Sequence, residues 1–303
     1  MPDGFLNLHK PAGWTSHDCV AKLRRLLNTK KIGHAGTLDP AATGVLPVAI
    51  GRATRLLQYL PGDKAYRAVV QLGTTTNTDD LDGTPLTHTP AAHLTQTDVT
   101  QHLGQFQGTI QQIPPLYSAV HVDGRRLYDL ARQGNAETVD IPSRRVIIHQ
   151  IDVVHWQPGD APQVTLDITC GAGTYIRSIA RDLGAILEVG GTLASLIRTQ
   201  SSGFKLDTSI SFETLSEQPQ EYELTAPAVA MRHLPKILLS PEAGRRWSLG
   251  QRLPHTPTIE LEQPLRVVTA ACPFLGIGVF RIKDDRPHLI PKMVFEPGSS
   301  HGL

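Results

Sequence analysis

Cysteine is scarce in this chain of 303 residues, and the three present, Cys19, Cys170 and Cys272, form no CxxC pair. That spacing argues against both a disulfide framework and a thiolate zinc site. The thirteen histidines include no HExxH, so each reads singly as a surface or satisfied core imidazole, and no metal is expected. Aromatic residues are only 5% of the chain, and no apolar run approaches the roughly 20 residues of a membrane helix. The opening MPDGFLNLHKPAGWTS lacks a basic segment followed by an apolar one. A soluble, cytoplasmic protein is the expectation. Internal repeats and low-complexity tracts are absent, and a net charge of +1 gives no overall polyanion-binding signature.

What is present is ordinary globular composition: 40% hydrophobic, 19% charged, 26 Gly and 23 Pro, at a length that suits one large domain or two smaller ones. The distribution of charge says more than its sum. Residues 1–62 hold eight Lys/Arg against three Asp/Glu, 205–225 hold one against five, and 232–303 hold ten against six. Two basic blocks flanking an acidic connector are compatible with a polyanion touching both ends.

Alternation in 64–72 puts Tyr66, Ala68, Val70 and Leu72 on one face of a strand, and 163–170 alternates in the same way. Further strands are predicted at 4–8, 45–50, 146–155 and 191–199. Ser16 is placed as the cap of a helix to about Asn28, with Val20, Leu23, Leu26 and Leu27 on its apolar stripe. A second helix carries Val99, Leu103 and Phe106, and a third follows Gly171-Ala172-Gly173 with Ile176, Ile179, Ala180 and Leu183 on its stripe. The absence of regular βαβ alternation predicts an α+β fold with a mixed or antiparallel sheet. The acidic, proline-bearing stretch 206–227 reads as a linker, dividing the chain into 1–222 and a small β-rich domain at 228–303.

The segment from Gly33 to Gly44 reads as a long ordered loop, where function concentrates. Within it Asp39 stands before Pro40, which restricts its backbone and so fixes the angle of its carboxylate; the same pair also suits an ordinary turn. A single acid of this kind serves as nucleophile or base if a cation accompanies it. The Gly171-Ala172-Gly173 turn lacks the third glycine of a dinucleotide fingerprint, since position 176 is Ile. Tyr175 and Arg177 open the helix after it, and Tyr66 is either a core residue or a platform for a nucleobase.

The stretch GHAGTLDPAATGVLPVAIGRATRLLQYL (33–60) resembles the signature of the tRNA pseudouridine synthase B family. So do Lys10-Pro11-Ala12-Gly13, Asp63-Lys64-Ala65-Tyr66, Pro114-Pro115-Leu116-Tyr117-Ser118-Ala119, Gly124 to Arg132, and Gly173-Thr174-Tyr175-Ile176-Arg177, all in the family's order. The likeness covers about residues 4–204, and the tail is similar, more loosely, to a PUA-type RNA-binding domain. The resemblance implies a pseudouridine synthase fold and a cofactor-free isomerisation of the T-loop uridine at position 55 of tRNA, with the base flipped out. It implies Asp39 as nucleophile or base, Arg177 as its basic partner, Tyr66 stacked on the base and Tyr175 as a second active-site tyrosine. His34 is implied near the flipped nucleotide, Leu196 in the pocket wall and Lys10 as support for the loop. A thumb-like insertion at about 114–145, with Arg125 and Arg132, is implied to close on the T-arm.

His9, Asn77 and His121 depart from the residues usual in the family; the last is where a phosphate-gripping lysine is frequent. An RNA-binding protein without catalysis and a guide-RNA-dependent relative are the competing readings. The intact set of Asp39, Tyr66, Tyr175 and Arg177 speaks against the first and the lack of long basic extensions against the second, so no guide RNA is expected; a monomer is the expected state.

Overall fold

Period-two alternation in residues 64–72 and 163–170 becomes two adjacent central strands of a nine-stranded sheet. A computed structural model describes residues 3–118, 120–122, 125–127, 141–217 and 222–295 of the chain. Its strands in chain order are β1 (Gly4–Lys10), β2 (Ile32–His34), β3 (Thr43–Ile50), β4 (Lys64–Leu72), β5 (Thr74–Thr76), β6 (Pro85–His88), β7 (Gly108–Gln112), β8 (His121–Val122) and β9 (Arg125–Arg126). They continue as β10 (Arg144–Gln157), β11 (Gln163–Cys170), β12 (Gly191–Ser201), β13 (Phe204–Lys205), β14 (Lys236–Leu238), β15 (Leu253–Pro254), β16 (Leu265–Val268), β17 (Gly276–Lys283) and β18 (Arg286–Val294).

The main sheet runs β1-β3-β12-β4-β11-β10-β7, with β2 on β3 and β13 on β12. It is a mixed sheet, as expected: β3 and β12 run parallel while the other pairings are antiparallel. Tyr66, Ala68, Val70 and Leu72 of β4 and Val164, Leu166, Ile168 and Cys170 of β11 are all buried. They pack against Ile176, Ile179, Ala180 and Leu183 of the helix Ile176–Ile186, and against Val99, Leu103 and Phe106. At the parallel junction Gly44 faces Arg198 with φ of +103°, and a Cβ there would collide with the backbone of Arg198. Only glycine admits that approach.

Two local expectations are corrected. The first helix is Ser16–Leu26, and its cap is Thr15, whose side chain and Asp18 form a reciprocal capping box. Ser16 instead turns inward, buried, for a reason given below. Leu26 is exposed, because Cys19, Val20 and Leu23 already fill the face that meets the sheet.

The stretch 206–227 is no free linker. The amide of His9 donates to Ile210 O and that of Ile210 to Asn7 O, while Phe5 and Thr225 exchange two backbone bonds. Phe212 and Leu215, on the short helix Phe212–Glu217, are buried against Leu6, Leu8 and Leu23. The described parts, 206–217 and 222–227, therefore satisfy the outer edge of β1 as a strap would, which a bare sheet edge would leave open.

Residues 236–294 hold a second sheet, β14-β16-β17-β18-β15, around Trp247, Phe280 and Leu289. Its other side shares a core with the main sheet: Met231, Phe274, Ile277, Met293 and Phe295 pack with Phe5, Val45, Ala49 and Leu56. Burying a large apolar side chain contributes about 1.5–3 kcal/mol. A chain ending at 227 is therefore expected to melt about 10 °C or more below the full chain. An unchanged melting temperature would show that the shared core contributes nothing. Among the described residues no helix is long and apolar enough to cross a membrane.

Candidate active site

The loop between β2 and β3 is polar and rich in glycine, yet the fold ties down five consecutive carbonyls in it. Gly36 O and Thr37 O accept from Arg198 Nη2 (3.2 Å) and Nη1 (3.3 Å). The Ser16 hydroxyl donates to Leu38 O at 3.4 Å and accepts from the Leu38 amide at 3.0 Å, which is why Ser16 faces inward. Asp39 O accepts from the Ala42 amide at 3.1 Å. Pro40 O accepts from Lys10 Nζ and from the Gly13 amide, each at 2.9 Å. Leu38 and Ala42 are buried among the side chains of β4 and β12. A loop held in this way presents Asp39 at a fixed angle without further ordering.

The Asp39 carboxylate faces Arg177 across the chain. Arg177 Nε lies 2.9 Å from Oδ2, and Nη2 donates to Oδ1 at 3.2 Å. The arginine side chain is 6% exposed and the aspartate 41%, so the cation is part of the wall while the acid reaches open space. The remaining guanidinium hydrogens are also engaged: Nη1 with Thr78 O (2.9 Å) and Asp80 Oδ2 (3.6 Å), Nη2 with Tyr117 O (3.1 Å). A planar fork with five donors matches this ring of acceptors in a way that a lysine cannot.

Asp39 and Arg177 border a cleft of about 650 Å³ whose walls include Tyr66, Tyr175, Leu196 and Lys64. Tyr66 is buried, and burial pushes its phenol up to about 12, so it stays neutral through the physiological range. Tyr175 stands at the N-terminus of the helix Ile176–Ile186. Its backbone is clamped by the Gln112 side chain, which accepts from the Tyr175 amide (2.8 Å) and donates to its carbonyl (3.0 Å).

Lys10 is fully buried and sits behind the loop, not in the cleft wall. Its Nζ donates to Pro11 O, Trp14 O and Pro40 O at 2.9, 2.6 and 2.9 Å, and burial lowers its pKa. Lys10→Met takes this donor from Pro11 O and Trp14 O and leaves Pro40 O to the Gly13 amide alone, with each stranded acceptor costing about 1–3 kcal/mol. Roughly 3 kcal/mol of lost stability in denaturant unfolding is expected, with turnover falling at least about tenfold as the Asp39 loop loosens. A variant as stable and as active as the parent would contradict the loop's dependence on this ammonium.

Of the nine residues singled out from the sequence, the structure brings Asp39, Arg177, Tyr66, Tyr175 and Leu196 to one cleft. His34 lies on β2 and does not line it; its ring meets His17 edge-on with centroids 5.4 Å apart, and burial, with the charges of His17 and Arg198, lowers its pKa. Arg125 falls on β9, paired with β8 in a short hairpin. Arg132 lies outside the described residues, as does much of the thumb-like insertion, including 128–140.

Sequence reasoning missed Arg198, Asp80 and Gln112. Arg198 is fully buried, also donates to Val45 O at 2.7 Å, and stands opposite Tyr66 where β12 pairs with β4. One guanidinium thus ties the aspartate loop to the tyrosine wall. The available signal was a charged residue in the middle of an apolar strand, which is uncommon without a buried partner. Among the described residues no group of three or more His, Cys, Asp or Glu is placed to hold a metal.

Residues 24–176 match the model of the TruB family pseudouridylate synthase N-terminal domain, and 235–295 match that of the C-terminal part of pseudouridine synthase II TruB. The tRNA pseudouridine synthase B of Trichormus variabilis is 52% identical over 297 residues, 97% of this chain and 99% of the relative. That of Gloeothece citriformis is 54% identical over 299 residues, 96% of each. The crystal structure of a Cbf5–Nop10–Gar1 complex contains a similar chain, with a TM-score of 0.74 and 28% identity over 97% of this chain and 85% of that one.

Proposed function

The chain belongs to the TruB family of pseudouridylate synthases, and from that premise we propose that it isomerises uridine in tRNA to pseudouridine in the cleft between Asp39 and Arg177. The target is the T-loop uridine at position 55, and the protein acts as a cytoplasmic monomer without a guide RNA. Residues 1–222 form the catalytic domain and 228–303 an RNA-binding domain attached through their shared core. The observation that carries this reading is a half-exposed carboxylate, paired with a buried guanidinium, in the wall of a cleft between two tyrosines.

The reaction breaks the N1–C1′ bond, joins C5 to C1′, moves the C5 proton off the ring and leaves one on N1. Atoms and electrons balance within the nucleoside, so no redox partner enters. Extruding the base from the loop costs a few kcal/mol. Stacking on an aromatic ring returns about 1–3 kcal/mol, and Tyr66, neutral and buried, provides that ring. Asp39 then acts on the nucleoside by attack at C1′, attack at C6, or removal of the C2′ proton toward a glycal. All three routes need a carboxylate oxygen that reaches the cleft while Arg177, which meets both oxygens, holds the group in place. Tyr175 and Leu196 close the walls, and the Gln112 clamp keeps Tyr175 in place. Lys10 and Arg198 act from behind, through the loop.

Purified full-length protein incubated with an unmodified tRNA transcript, followed by base-resolved mapping, tests the reading. Pseudouridine at the T-loop uridine with no other RNA or protein added is the expected result. Tight binding with no product would refute it and leave an RNA-binding protein.

A further inference from the structure

We propose that Lys64 is a phosphate-binding residue of the cleft, and that its ammonium engages the backbone phosphate next to the flipped nucleoside. This assignment rests on the cleft's role proposed above and adds an anion subsite to it.

Three cations lie in or behind the cleft wall: Arg177, Arg198 and Lys64. Arg177 is engaged with Asp39, Asp80, Thr78 O and Tyr117 O. Arg198 is fully buried and engaged with Gly36 O, Thr37 O and Val45 O. Arg177 is saturated and Arg198 has no exposed surface, so neither offers a donor to a ligand. Lys64 also lines the cleft, and among the described residues no side chain or carbonyl accepts a hydrogen bond from its Nζ. Its neighbour Asp63 is turned to His149, 3.4 Å from Nε2. Asp39, Asp80 and Asp82 share the same walls but form no ion pair with it.

An ammonium drawn partly out of water with no counter-ion is costly in the free protein, and an arriving anion removes that cost. Burial and the Arg198 charge lower the pKa of Lys64 against a smaller opposing pull from Cys170 and Asp63. The side chain passes over Gly36, where a Cβ would come 3.4 Å from its Cε and 3.8 Å from its Nζ.

Spacing selects the ligand group. Lys64 and Tyr66 lie two residues apart on β4 and so project to the same side of the strand, about 7 Å apart. A uracil stacked on Tyr66 is narrower than that. Its flanking phosphate, one sugar away from the base, is the group at the matching distance, and it is anionic where the uracil carbonyls are not.

The test crosses protein and RNA changes. T-arm RNAs carry a neutral methylphosphonate at the linkage 5′ or 3′ of the target uridine, and turnover is measured with the wild-type protein, K64M and K64R. With all-phosphate RNA, K64M is expected to raise KM about tenfold with kcat changed much less, as for loss of one charge-assisted contact. The slope of log affinity on log salt should fall by about 0.7, the share of one single-strand phosphate. K64R should restore most of the affinity.

One of the two neutral linkages should cost the wild type about tenfold in KM and cost K64M nothing further. An unchanged KM in K64M, or equal sensitivity of both proteins to each linkage, overturns the assignment. Should K64M fail to fold, the wild-type linkage scan and K64R decide: no sensitive linkage overturns the proposal, one sensitive linkage with rescue by arginine upholds it. Wild-type turnover on all-phosphate RNA is the separate control. No product there removes the reading of the cleft, whereas product without a sensitive linkage removes only the role of Lys64.

Discussion

Asp39→Asn is expected to lower conversion of tRNA uridine by about 10⁴-fold or more while tRNA affinity stays within about threefold of wild type. Asparagine has the same shape, and its carbonyl oxygen still accepts from Arg177 Nη2, which now donates at 3.2 Å. The loop is held by its five carbonyls, none of which involves the Asp39 side chain, so its course is retained. The carboxylate is 41% exposed, and its ion pair therefore contributes little to folding once screened by solvent. What the variant loses is the anionic oxygen that attacks or deprotonates the nucleoside. Single-turnover pseudouridine formation with enzyme in excess, beside a filter-binding titration, separates these effects. Residual turnover within tenfold of wild type would remove Asp39 from the reaction, and a collapse of binding would make it a structural residue.

Arg177→Met is the second large effect, and it differs in kind because it reaches both chemistry and folding. The guanidinium is almost fully enclosed and joins the Asp39 loop, the 78–80 turn and the Tyr117 backbone. Its removal leaves Asp80 without this partner and strands two carbonyls, and breaking a buried pair typically costs about 3–5 kcal/mol. Allowing for the partial exposure of Asp39, about 3 kcal/mol is expected in denaturant unfolding, together with loss of detectable turnover. Arg177→Lys keeps the charge without the fork, so it should recover part of the stability and leave turnover down by at least about 10²-fold. A methionine variant that melts with the wild type, or a lysine variant of full activity, would show that the ring of acceptors around Arg177 is incidental.

Parts of this architecture are legible in the sequence because they depend on local periodicity. β4 and β11 were readable to the residue, since alternating Tyr66, Ala68, Val70 and Leu72 or Val164, Leu166, Ile168 and Cys170 has one compatible backbone. The helix Ile176–Ile186 was readable from its apolar stripe and the preceding glycines. The first helix cap was misplaced by one residue because Thr15 and Ser16 are equally good caps by type. The choice was made by Leu38, 22 positions away, whose amide occupies the Ser16 hydroxyl.

The stretch 206–227 looked like a linker because five acidic residues and two prolines are spread through it. Its apolar Ile210, Phe212 and Leu215 acquire meaning only beside the edge of β1. In the cleft, the family resemblance named the groups that face the nucleoside. Arg198 and Gln112 act on other residues' backbones, and no short motif encodes a partner so distant in the chain. His34 shows the converse, for a motif position need not line the cleft that its neighbours form.

A structure of the protein bound to a T-arm carrying 5-fluorouridine at the target position tests the central claim most directly. The account predicts that nucleoside swung out of its loop, its base against Tyr66, and an Asp39 oxygen within about 3.5 Å of the sugar or base carbon it acts on. A target base still stacked in the T-loop, or a nucleoside lodged away from the Asp39–Arg177 pair, would contradict it.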